Sequence, residues 1–100
     1  MRVVTIISEK IENLIENKEI SQEEVQNILN MFSKNDWGVL DSEEKEEQNE
    51  LLIEGRLKGE NPKLKYCFNG IYEVDKYLIN TRSKYETLTK TLAITVYLVK

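Results

Sequence analysis

The stretch KLKYCFNGIYEVDKYLI, Lys63–Ile79, decides how the second half of this 100-residue chain folds. Apolar and polar residues alternate on both sides of Asn69-Gly70, which is the period of a strand rather than a helix. Asn-Gly marks a turn, so the stretch reads as a β-hairpin. A two-residue loop at Asn69-Gly70 sets Tyr66 against Glu73 and Leu64 against Asp75, mixing apolar and acidic groups on one face. A three-residue loop, Phe68-Asn69-Gly70, sets Tyr66 against Tyr72 and Leu64 against Val74 on one face, with Lys65 against Glu73 and Lys63 against Asp75 on the other. It also places Gly70 where such loops use a left-handed residue, and its cross-strand pairs match in chemistry. The sequence therefore predicts the three-residue loop.

Beyond this hairpin, NTRSK at 80–84 reads as a polar turn and YETLTKTLAITVYLVK at 85–100 as one long strand. In that strand Leu88, Leu92, Ile94, Val96 and Leu98 share one face. Tyr85, Thr87, Thr89, Thr91, Thr95 and Tyr97 share the other, and threonine suits an exposed pleated surface.

The first half has the helical period instead. Ser8 reads as an N-cap before Ile11, Leu14 and Ile15, with Glu9, Glu12 and Glu16 outside. SQEE at 21–24 is a capping box, followed by Val25, Ile28, Leu29 and Phe32 at helical spacing. DSEE at 41–44 opens a third helix, with Asp41 or Ser42 as its cap, Leu51, Leu52 and Ile53 as its apolar end, and Gly55 or Gly59 as its stop. Residues 3–7, VVTII, form a short strand or a lead-in. The expected architecture is a single α+β domain over residues 1–100, its N-terminal helices packed on a three-stranded antiparallel β-meander.

Composition narrows the chemistry. There is no histidine and one cysteine, Cys67, which excludes intramolecular disulfides, His-based acid–base catalysis, Cys–His nucleophiles and the common zinc sites. No phosphate-binding glycine loop and no calcium loop is present. The expectation is a non-enzymatic protein without metal or cofactor. A lone cysteine and an N-terminal apolar run too short for a signal peptide or a membrane span point to a cytoplasmic protein.

Charge is divided along the chain. The net charge is −4, with residues 1–62 holding 7 basic against 15 acidic groups and residues 63–100 holding 7 against 3. A molecule of this kind steers its acidic side toward a basic partner. Three groups of candidate residues follow. Glu43, Glu44, Glu46, Glu47 and Glu50 form an acidic helix that is either a solvated face or a mimic of nucleic acid for a basic groove. Asp36 and Trp37 sit in an Asp-Trp-Gly turn, with Trp37 either plugging the core or anchoring a partner. Tyr85 and Tyr97 belong to a sheet face that fits a partner or a homodimer. An alternative set, Lys63, Lys65, Tyr66, Lys76, Arg82 and Lys84, interleaves cations with aromatics in the manner of a single-strand nucleic-acid binder.

The strings NDWGVL at 35–40, EEK at 43–45, GRL at 55–57, YLINTRS at 77–83 and TLAITVYL at 91–98 resemble a family of small uncharacterised proteins of bacterial plasmids and phages. That family has a Gly-Asp-Trp-Gly turn, an acidic helix, a hairpin and a Thr-rich C-terminal strand. Here Phe32 stands where the family has His, Asn35 stands where it has Gly, and the acidic pair before Arg82-Ser83 is absent. The resemblance implies a mobile-element setting. Together with the acidic half, it yields the expectation of an inhibitor of a host defence nuclease, anti-CRISPR or antirestriction. Such an inhibitor would bind a CRISPR effector or another basic-grooved nuclease. A nucleic-acid-binding regulator and an antitoxin-like protein are the alternatives.

Overall fold

The computed structural model describes residues 1–99. Its elements are β1 (Arg2–Ile7), α1 (Glu9–Glu16), α2 (Gln22–Ser33), α3 (Ser42–Lys58), a 3-10 turn at Pro62–Leu64, β2 (Phe68–Val74), β3 (Tyr77–Glu86) and β4 (Thr91–Leu98). The four strands form one mixed sheet in the order β1-β4-β3-β2, with β1 parallel to β4 and the other pairs antiparallel. The fold is α+β. No helix among the described residues is long and apolar enough to cross a membrane.

The helix starts follow the capping chemistry. Ser8 accepts a hydrogen bond from the Ile11 amide, and Ser21 and Glu24 close a reciprocal capping box. Asp41 accepts from the Glu44 amide. Each bond satisfies an amide that the first helical turn leaves without a partner. The helices cover one face of the sheet. Ile11, Val25, Ile28 and Phe32 pack there with Phe68, Tyr72, Ile79 and Val96, all buried.

The hairpin differs from the sequence expectation. Phe68, Asn69 and Gly70 lie inside β2, and the chain reverses at Asp75-Lys76, between Val74 and its partner Tyr77. Asp75 takes the left-handed backbone there, φ 56°, which aspartate tolerates better than most residues. Gly70 is required for packing instead of turning. A Cβ at that position would lie 2.4 Å from the Tyr72 hydroxyl. Residues 80–84 are strand as well: Thr81 and Ser83 are buried opposite Gly70 and Phe68, where their small side chains fit.

The long final strand is also two strands. β3 ends at Glu86, residues 87–90 form a loop closed by Lys90 at φ 51°, and β4 begins at Thr91. Tyr85 therefore pairs with Leu92 on the helix side, while Tyr97 pairs with Asn80 on the opposite face. The two tyrosines do not share a surface. Lys63 and Lys65 fall in and just after the 3-10 turn, so neither has a cross-strand acidic partner. The β2–β3–β4 meander is present with shifted boundaries, and β1 extends it on the β4 side.

Candidate functional site: the outer face of the third helix

Helix α3 lies against the outer edge of β2, held by three kinds of contact. The Gln48 amide spans the Asn69 backbone, accepting from its N–H at 2.7 Å and donating to its C=O at 2.9 Å. Asn49 accepts from the indole N–H of Trp37 at 3.0 Å. Gly55 is buried against Pro62, where a Cβ would come within 2.7 Å of the ring. Leu51 and Leu52 add apolar contact with the core. Gly59 ends the helix in the left-handed conformation.

A helix turns about 100° per residue. With Gln48, Leu51, Leu52 and Gly55 inward, residues Glu43, Glu46, Glu50, Ile53 and Leu57 line up outward. Ile53 is 56% exposed and Leu57 is 83% exposed. The sequence reading grouped Ile53 with Leu51 and Leu52 as the helix's apolar end; the structure packs those two and turns Ile53 out, one helical turn before Leu57. The outer stripe thus carries carboxylates over its N-terminal half and two large apolar side chains over its C-terminal half. Its spacing at i, i+3 and i+4 was readable from the sequence, but the acidic run masked it.

No cation among the described residues pairs with the clustered carboxylates. Among the described residues the ion pairs are Lys58–Glu54 at 2.7 Å and Lys65–Glu60 at 3.9 Å, and neither involves Glu43, Glu44, Glu46, Glu47 or Glu50. These five side chains are exposed. The Glu44 carboxyl is held above the usual range, first by the charge of the helix-capping Asp41 and a side-chain hydrogen bond with it, and further by the charges of Glu47 and Glu43. No three metal-ligating side chains cluster among the described residues.

The other candidate residues have different placements. Trp37 is 2% exposed, set edge-on to Phe32 and stacked on Phe68 with both ring centroids at 5.6 Å. It plugs the core and is not available as a surface anchor. Asp36 accepts from the Gly38 amide, and its carbonyl accepts from the Tyr72 hydroxyl at 2.7 Å, so it shapes the turn. Burial and the nearby Asp36 charge push the Tyr72 hydroxyl far above its usual pKa.

The basic set is dispersed. Arg82 and Lys84 lie on the sheet face away from the helices. Lys76 sits at the β2–β3 turn over the Tyr77 ring, Lys65 lies over the Tyr66 ring, and Lys63 is half-buried, which lowers its pKa. No protein-family model, no curated protein and no solved structure matches the chain.

Proposed function

We propose that this chain is a non-enzymatic inhibitor that docks the outer face of α3 into a phosphate-binding groove of a nuclease, in the manner of an anti-CRISPR or antirestriction protein. The observation that carries the reading is the composition of the stripe. Glu43, Glu46 and Glu50 are exposed and unpaired, and they continue along the same face into exposed Ile53 and Leu57. Carboxylates attract the cations that line such a groove and speed the encounter. Apolar side chains supply contact area that a solvated acidic face lacks, and aliphatic burial is worth about 25 cal/mol per Å². The resemblance to plasmid and phage proteins supports the same setting.

The test is a cleavage assay with purified defence nucleases, CRISPR effectors and restriction endonucleases, over a range of salt. The expected result is inhibition at low salt that fades as ionic strength rises. Reversing Glu43, Glu46, Glu47 and Glu50 to Lys abolishes it, and Leu57→Ala weakens it at all salt concentrations. Inhibition that survives the charge reversal in a folded protein sinks the reading.

A further inference from the structure

The two edges of the sheet are treated differently. The β2 edge is closed by its own chain: Gln48 covers Asn69, while the Trp37 carbonyl and Val39 amide bond the Ile71 amide and carbonyl at 3.1 and 2.7 Å. The β1 edge has no such cover among the described residues. The amides of Arg2 and Ser8 point inward to Lys90 and Val96 of the β4 side. By strand alternation, Val3, Thr5 and Ile7 aim their N–H and C=O groups outward. Bare edges are normally guarded by charge, proline or a bulge. Residues 3–7, VVTII, carry no charge and no proline, and Val3 and Ile6 remain 54% and 51% exposed.

We infer that a second copy of this chain covers this edge, β1 pairing antiparallel with β1 about a two-fold axis at Thr5. The register follows from the three outward residues. Thr5 opposite Thr5 and Val3 opposite Ile7 use every outward N–H and C=O of both strands. The same register sets Val4 opposite Ile6 on the sheet's open face, so apolar meets apolar on both faces. Arg2 comes level with Ser8, beside Glu9 in the first turn of α1, which adds opposite charges at each end.

The helix side supplies a matching recess. Ile7 lines an open groove of about 590 Å³ between α1 and α2, with Ile15, Val25 and Leu29 as its apolar wall and Glu12 and Glu16 also lining it. Ile7 and Val3 are on the sheet's helix side, because they pair with Val96 and Leu92. Val3 of each copy therefore stands at the mouth of the other's groove. The pairing joins two four-stranded sheets into one of eight and leaves α3, at the far edge, free in both copies.

Sedimentation equilibrium on the full chain tests this, with wild type expected at twice the 11.8 kDa chain mass. Thr5→Pro removes an outward N–H without touching the β1–β4 ladder, and Val3→Glu puts a like charge at the mouth of a groove lined by Glu12 and Glu16. Both are expected at monomer mass with unchanged circular dichroism; if the proline variant fails to fold, the glutamate variant decides. In a Cys67→Ser background, Thr5→Cys is expected to form an intermolecular disulfide, since directly opposed residues of this kind have Cα atoms about 5.5 Å apart. A monomeric wild type at millimolar concentration overturns the inference, and so does a dimer that persists in a folded Val3→Glu variant. An edge that captures a foreign peptide while the chain stays monomeric also overturns it.

Discussion

The side-chain amide of Gln48 stands in for a missing strand beside Asn69. Its oxygen accepts from the Asn69 amide and its nitrogen donates to the Asn69 carbonyl. One glutamine thus gives β2 the two bonds a neighbouring strand gives, and it fixes α3 to the sheet at the same point. Gln48→Ala is expected to cost about 1–3 kcal/mol, the range for leaving buried groups without partners. Gln48→Glu keeps the acceptor and loses the donor, so it should recover part of the loss. Urea unfolding of the three proteins measures this, and hydrogen exchange at the Asn69 amide should quicken in Gln48→Ala but stay protected in Gln48→Glu, which keeps the acceptor.

The same logic applies at Trp37. Its ring is enclosed by Phe32 and Phe68, and its only polar atom is satisfied by Asn49. Asn49→Ala is expected to destabilise by about 1 kcal/mol, while Trp37→Ala opens a core cavity and costs about 3–5 kcal/mol. Trp37 is the sole tryptophan, so intrinsic fluorescence reports the site directly. A blue-shifted emission that moves red in step with global unfolding is expected; solvent-exposed emission from the native protein would contradict the packing.

How much of this was legible in the sequence depends on how local the signal is. Helix caps are local: Ser8, Ser21 and Asp41 each act within one turn, and each was readable. The hairpin was not. Alternation has the same phase in β2 whether the chain turns at 68–70 or at 75–76, so periodicity could not choose between them. Gly70 misled because it makes room for the Tyr72 ring, two residues on along the same strand, and that ring is held over it by a bond to the distant Asp36 carbonyl. Thr81 and Ser83 look like loop residues but are buried for their size. For the candidate site, the carboxylates were readable as a group. Which of them face outward required knowing where Gln48 and Gly55 are held.

Thr81 offers a test in the stabilising direction. Its side chain is fully buried, and its hydroxyl oxygen has no hydrogen-bond partner. An unpaired buried hydroxyl costs roughly 1–3 kcal/mol on protein mutational scales. Thr81→Val keeps the shape and removes the oxygen, so it is expected to raise stability by about 1 kcal/mol. A denaturation midpoint that falls on this substitution would mean the hydroxyl has a partner in solution.

Gly38 and Gly59 both hold a left-handed backbone, at φ 72° and 69°, yet they should respond differently to alanine. At Gly59 a Cβ meets nothing within 4 Å, leaving only the backbone cost of about 1–2 kcal/mol. At Gly38 a Cβ would fall 1.9 Å from the Ile71 carbonyl oxygen, which closes the β2 edge. Gly38→Ala must break that bridge or displace the strand. Thermal melts should show a modest loss for Gly59→Ala and a much larger one for Gly38→Ala.

The acidic first turn of α3 makes a prediction about pH. The Glu44 carboxyl is raised chiefly by the charge of Asp41. A carboxyl that holds its proton more tightly when folded favours the native state as pH falls through its folded-state pKa. The penalty is therefore fully present at pH 7 and gone once pH is below the unfolded value. Carbon-detected NMR titration should place Glu44 above an ordinary glutamate, and Asp41→Asn should bring it down. Added salt should do the same, because exposed charges are screened over about 8–10 Å at moderate ionic strength. A Glu44 titration indifferent to both Asp41→Asn and salt would mean that the repulsion between Glu44 and Asp41 is relieved in solution, by a cation or by movement of the helix's first turn.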